Sequence, residues 1–142
     1  MDARPVTTDA DLETLRQIRN SGRQWMTRNT AEITPEQQRA WWKQFKRIST
    51  GVWLFSESST DIGYGLLRLE GDRVWCSLAV LPRHQGHGYG TAIYRWLALS
   101  QPGWTIWAEI LADNTPSIRA CLRAGFQLAY AADKTATLVY RP

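Results

Sequence analysis

Between Leu81 and Leu97 the chain reads LPRHQGHGYGTAIYRWL, with glycines at 86, 88 and 90. An apolar stretch precedes them and a helical pattern follows. The first turn of a helix leaves backbone N–H groups without partners, and its dipole favours negative charge. Glycines permit torsions that aim several N–H groups at one anion, and they keep side chains out of its way. The segment reads as a pyrophosphate cradle, against the plainer alternative of a tight turn. A Walker A loop would need Gly-Lys-Ser/Thr, where this chain has Gly-Tyr-Gly-Thr. A dinucleotide fingerprint would need G-x-G-x-x-G, and the spacing here is G-x-G-x-G.

A second chemistry-bearing stretch runs from Arg19 to Phe45, RNSGRQWMTRNTAEITPEQQRAWWKQF. Arg19, Arg23, Trp25, Arg28, Trp41 and Trp42 interleave cations with large aromatics. Such a set can stack on a base or sugar and hold a phosphate. The alternative is a helix pair whose tryptophans are core and whose arginines are solvated.

These residues must be positioned by the elements around them. Leu12, Leu15 and Ile18 recur at helical spacing behind a Thr8-Asp9 cap. Thr34-Pro35-Glu36-Gln37 carries a cap, a proline for the first helical position and a capping-box partner. Strands are predicted at Arg4–Val6, Val52–Ser56, Ile62–Leu69 and Val74–Val80, with Gly71-Asp72 turning a hairpin. The glycine segment opens a helix that Pro102-Gly103 stops. Trp104–Leu111 reads as a strand, and Asn114-Thr115-Pro116 starts a helix that ends at Gly125. Phe126–Tyr130 and Ala136–Tyr140 complete the order β-α-α-β-β-β-α-β-α-β-β. That order predicts a single α/β domain over residues 1–142, a mixed sheet with helices on its faces.

Composition bounds the functions. With 142 residues and 44% apolar content, one sizeable core is feasible. A net charge of +4 suits an anionic partner and is too mild to indicate nucleic acid by itself. Two cysteines, Cys76 and Cys121, make neither a disulfide framework nor a zinc spacing, and His84 and His87 lack ligand neighbours. No metal is expected. No apolar run approaches membrane-spanning length, and the opening MDARPVTTDADLE has no apolar signal segment, so a cytoplasmic location with reduced thiols is expected.

Gln85-Gly86-His87-Gly88-Tyr89-Gly90 resembles the Q/R-x-x-G-x-G/A motif of the GNAT superfamily of N-acetyltransferases. AEILADNTPSIRACLRAGF, from Ala108 to Phe126, resembles that superfamily's second signature, in the right order and spacing. The match is clear over Val74–Phe126. The resemblance implies acetyl coenzyme A as co-substrate. Leu78, Ala79 and Val80 would pair with its pantetheine arm. Gln85, Gly86, His87, Gly88, Tyr89, Gly90 and Thr91 would surround the pyrophosphate, and Asn114 would contact pantetheine.

Acyl transfer from a thioester to an amine requires a deprotonated amine, a stabilised carbonyl oxygen and a tolerable leaving thiolate. Glu109, five residues before Asn114 on the strand beside the presumed thioester, is the candidate base; some members of the superfamily carry Glu there. An outward-facing surface residue is the alternative, and Glu70 is the reserve base. The superfamily's general acid is a Tyr five residues before the Phe of Gly-Phe, and here that position holds Cys121. Cys121 is thus either a weak proton donor or a small buried hydrophobe. Tyr89 and Tyr94 belong to the cofactor loop and its helix.

The resemblance implies an acceptor site bounded by the first two helices and the late strands, which makes Arg23, Trp25 and Arg28, between those helices, the candidate acceptor contacts. Their pattern is loosely similar to the amino-sugar-nucleotide N-acetyltransferases. The expected acceptor is a small amine, a nucleotide-linked amino sugar leading. Alternatives are a protein N-terminus or lysine, or a non-catalytic coenzyme A- or nucleic-acid-binding module on the same fold. The sequence leaves the acceptor, the acyl length and the oligomeric state open.

Overall fold

A computed structural model describes residues 1–28 and 30–142, with the side chains of 46–50 outside the description. Asn29, in the basic and aromatic stretch, lies outside the described residues. The order is β1 (Asp2–Pro5), α1 (Asp9–Ser21), α2 (Pro35–Ile48), β2 (Ser49–Glu57), β3 (Thr60–Glu70), β4 (Arg73–Val80), α3 (Tyr89–Ser100), β5 (Ile106–Leu111), α4 (Thr115–Arg123), β6 (Gln127–Ala131) and β7 (Thr135–Tyr140). Short 3-10 turns at Arg23–Trp25 and Pro82–His84 are additions to the expected order.

Local chemistry sets the helix ends. Thr8 Oγ1 accepts from the Asp11 N–H, and the Asp11 carboxylate accepts from the Thr8 N–H. Thr34 and Gln37 reciprocate in the same way before α2. At the end of α4 the Gly125 N–H donates to Leu122 O and the Phe126 N–H to Cys121 O. Gly125 takes φ 106°, so the helix closes in a Schellman turn. The strand expected from Trp104 begins instead at Ile106. Trp104 still belongs to the preceding turn, where its N–H donates to Gln101 O.

The seven strands lie in the order β1-β2-β3-β4-β5-β7-β6. Every neighbouring pair is antiparallel except β4 and β5. Helices α3 and α4 pack on one face over Leu67, Val74, Cys76, Ile106 and Leu138. There Ile93 and Leu97 are fully buried, each contributing roughly 1.5–3 kcal/mol. On the other face Leu15 and Ile18 of α1 and Phe45 of α2 pack over Val52, Leu54, Tyr64 and Leu66. Four of the eight tryptophans, Trp41, Trp42, Trp53 and Trp96, take part in this packing. Trp41 stacks on Phe45 at 4.5 Å, and Trp53 meets Trp96 edge-on at 4.9 Å.

The β4–β5 ladder positions the site. It holds only Val74↔Ile106, Trp75↔Trp107 and Cys76↔Ala108. Beyond that point β4 stays paired with β3 as far as Val80, and β5 stays paired with β7 as far as Leu111. The strands part, and the inner edges of residues 77–80 and 109–111 face a gap.

Candidate active site

The gap opens into a cleft of about 520 Å³. Its walls come from three places. Residues 77–80 of β4 and 108–110 of β5 form the split floor; the turn from His84 to Thr91, His87 apart, and α4 from Pro116 to Arg123 give a second wall; Gly22, Trp25, Met26 and Thr27 of the α1–α2 connection give a third.

The turn is built by its glycines. Gly86 and Gly88 take φ of 82° and 83°, in the left-handed region, and a Cβ on either would meet nothing within 4 Å. Their bare backbone borders open space, as a cradle for an anion requires. Gly90 differs, because its missing Cβ would lie 3.5 Å from Ala120 Cβ. It sits where α3 and α4 pack together. The Gln85 side-chain amide donates to Val80 O at 3.1 Å and ties the turn back to the end of β4. His84 Nε2 lines this wall, is buried and has no hydrogen-bond partner among the described residues.

Ten of the eleven expected cofactor residues line the cleft: Leu78, Ala79, Val80, Gln85, Gly86, Gly88, Tyr89, Gly90, Thr91 and Asn114. His87 does not; it is exposed, with its ring 6.2 Å from Tyr89. Asn114 Oδ1 accepts the Ser117 N–H as the cap of α4. Glu109 lines the cleft half-buried, with no hydrogen bond or ion pair among the described residues. A carboxylate with no partner keeps its lone pairs for a proton.

Other expected roles are corrected. Cys121 is fully buried, packed in the α3–α4 core rather than facing the cleft, and desolvation pushes its thiol far above the ordinary range. It does not line the cleft, and its place in the core fits the small buried hydrophobe of the two expected readings. Glu70 pairs with Arg28 at 3.1 Å and Arg68 at 3.4 Å. The Arg28 hydrogen bond and charge hold it below the usual carboxylate range, which unfits it as a base. Arg28, taken up by Glu70, and Arg23, 3.8 Å from Glu32, do not line the cleft; Trp25 does, 42% exposed.

Among the lining residues with no expected site role are four that bear chemistry, Tyr94, Ser117, Arg119 and Arg123. Tyr94, from α3, places its hydroxyl 2.7 Å from Ser117 Oγ of α4. Arg119 and Arg123, four residues apart on α4, bring two cations to the wall beside the glycine turn. Their spacing on one helical face was the available signal. No group of three or more His, Cys, Asp or Glu suited to a metal occurs among the described residues. No helix among them is long and apolar enough to cross a membrane.

The family profile described as "Acetyltransferase (GNAT) domain" matches residues 3–127. The chain belongs to the GNAT acetyltransferase family. No curated protein matches it in sequence. Several solved GNAT structures share its fold. YncA, a putative acetyltransferase from Salmonella typhimurium solved with its cofactor acetyl-CoA, superposes with a TM-score of 0.81 at 20% identity, covering 99% of this chain and 93% of that one. A ribosomal-protein-alanine N-acetyltransferase from Brucella melitensis gives 0.79 at 20% identity, with all of both chains covered. A GNAT superfamily phosphinothricin acetyltransferase from Sinorhizobium meliloti, in complex with AcCoA, gives 0.80 at 18%, covering 99% and 87%. At these identities the likeness is one of fold. The parted strands and the glycine turn lie within the span that matches the GNAT profile.

Proposed function

We propose that this GNAT domain transfers an acetyl group from acetyl coenzyme A to a primary amine of a small molecule, by direct attack of the amine on the thioester. One observation carries the reading: a single cleft joins β-strand edges that have parted, an anion-ready glycine turn and a carboxylate with no partner among the described residues. The pantetheine arm, rich in amides, takes up backbone groups of residues 78–80 that β5 leaves unpaired, Val80 O being already bonded to Gln85. The pyrophosphate sits on the turn from Gln85 to Thr91, with Arg119 and Arg123 supplying opposite charge. Asn114, whose Oδ1 is engaged as a cap, offers its Nδ2 to the arm.

The chemistry then falls to Glu109. An ammonium has no lone pair, so the amine must lose a proton before it attacks the acetyl carbon. Glu109 takes that proton through a water. Holding both substrates in one cleft supplies much of the remaining acceleration. The acceptor enters under the α1–α2 connection, where Trp25 provides a flat surface and Met26 and Thr27 a narrow wall. A ring-bearing amine suits that end, a nucleotide-linked amino sugar being the leading case.

The test is release of free thiol from acetyl coenzyme A against amino-sugar nucleotides, amino acids, aminoglycosides and peptides with free N-termini. Turnover with small ring-bearing amines is expected. Turnover with peptides alone would move the acceptor to protein, and tight coenzyme A binding with no turnover on any amine would make this a binding module.

A further inference from the structure

When the C–S bond breaks, negative charge gathers on sulfur, and no role given so far meets it. The thioester belongs between the parted strands, just beyond the last rung at Cys76 and Ala108. Tyr94 reaches that region from α3. Its ring packs against Phe126 at 5.7 Å and is 4% exposed, yet it lines the cleft. The Tyr94 and Ser117 hydroxyls lie 2.7 Å apart. Two hydroxyls so paired share one proton between them and leave the other unassigned. Neither side chain has a further hydrogen-bond partner among the described residues.

We propose that the Tyr94 hydroxyl, oriented by Ser117, donates a hydrogen bond to the coenzyme A sulfur and stabilises the thiolate as it leaves. This rests on the acetyltransferase reading above. Ser117 O–H donates to Tyr94 Oη, which frees the phenolic O–H to face the cleft. The amine nitrogen forms its bond to the acetyl carbon, the C–S electron pair goes to sulfur, and the amine proton goes to Glu109 through water. The phenolic proton stays on Tyr94, and the released thiolate takes its proton from solvent. Amide and thiol are the balanced products.

The surroundings keep Tyr94 a donor. Desolvation, together with Cys121 of α4, Cys76 of β4 and Tyr64 of β3, raises it well above an ordinary phenol. Cys76 is itself pushed up to about 12, and Tyr64 and Cys121 are raised by burial, so these neighbours are neutral at neutral pH. The other charged or titratable groups on the same cleft, among the described residues, are Glu109 of β5, Arg119 and Arg123 of α4, and His84 and Tyr89 of the glycine turn.

The direct readout is calorimetric binding of coenzyme A, as the free thiol, to wild type, Tyr94→Phe and Ser117→Ala across pH 6 to 9. A hydrogen bond to thiolate lowers the bound thiol below its free value of ~8.5, so wild-type affinity climbs about tenfold as pH rises toward that value. In Tyr94→Phe the climb should vanish, and in Ser117→Ala it should shrink. Acetyl coenzyme A, which has no thiol, should bind wild type and Tyr94→Phe alike, while turnover in Tyr94→Phe falls roughly tenfold. Equal pH dependence in wild type and Tyr94→Phe would overturn the role of Tyr94 and leave the acetyltransferase reading intact. Failure of the wild type to bind coenzyme A at all would overturn both.

Discussion

The two ends of the cleft are made of different material. The proposed coenzyme end is backbone: two parted strands, a turn whose Gly86 and Gly88 border open space, and the start of α3. The proposed acceptor end is side chain, with Trp25, Met26 and Thr27 on a connection whose arginines are drawn into pairs with Glu32 and Glu70. Backbone cannot be exchanged by substitution, so the first end recognises what is common to a fold. Side chains can, so on the proposed assignment the second end would carry what is particular to this protein. The contrast predicts that damage at the coenzyme end arises from shape and charge access, whereas at the acceptor end it follows the side chain removed.

The largest effect should come from Gly88→Val. The residue would have to hold φ near 83° with a branched side chain projecting into the anion's space. Coenzyme A affinity should fall a hundredfold or more, ~3 kcal/mol, with circular dichroism unchanged. Unchanged affinity by calorimetry would show that the turn is not the cradle. Glu109→Gln comes next. It should lower kcat/KM by roughly a hundredfold while leaving coenzyme A binding alone, a split that separates chemistry from binding at the junction of the two ends.

At the acceptor end the expected losses are smaller. Trp25→Ala should raise the acceptor KM about tenfold, in line with the loss of one stacking surface, and spare that of acetyl coenzyme A. The double variant Arg23→Ala, Arg28→Ala should change either KM only severalfold, because both arginines are exposed and occupied by carboxylates outside the cleft. A large acceptor-specific loss in the double variant would return them to the site. The smallest catalytic effect belongs to Cys121→Ala, with turnover within about threefold of wild type and stability lower by ~1–2 kcal/mol, read from thermal unfolding.

What the sequence could disclose follows the same division. The capping pairs Thr8–Asp11 and Thr34–Gln37 and the stop at Gly125 are local, so a few adjacent residues specify them. The glycine turn and Asn114 were legible for the same reason. The partner of Arg28 was not, since Glu70 lies 42 residues along the chain. Nor was the inward direction of Cys121, because its place in a motif says nothing of which helical face meets the core. Tyr94 was passed over as part of the cofactor helix. Its significance depends on Ser117, 23 residues away and on another helix.

The short β4–β5 ladder also bears on how the domain holds together. It joins one antiparallel block, β1 to β4, to another, β5 to β7, through three residue pairs. In sheet hydrogen bonding alone, that seam is the weakest line across the molecule. A ligand that bridges residues 78–80 and the opposite wall supplies rungs the chain itself lacks. Amide hydrogen exchange in the two blocks should therefore be least coordinated without ligand and become more concerted with it. At a ligand concentration a hundred times Kd the linkage amounts to about 2.7 kcal/mol. On the proposed binding mode the co-substrate would act as a staple between two blocks of strands that the sheet itself joins through three residue pairs.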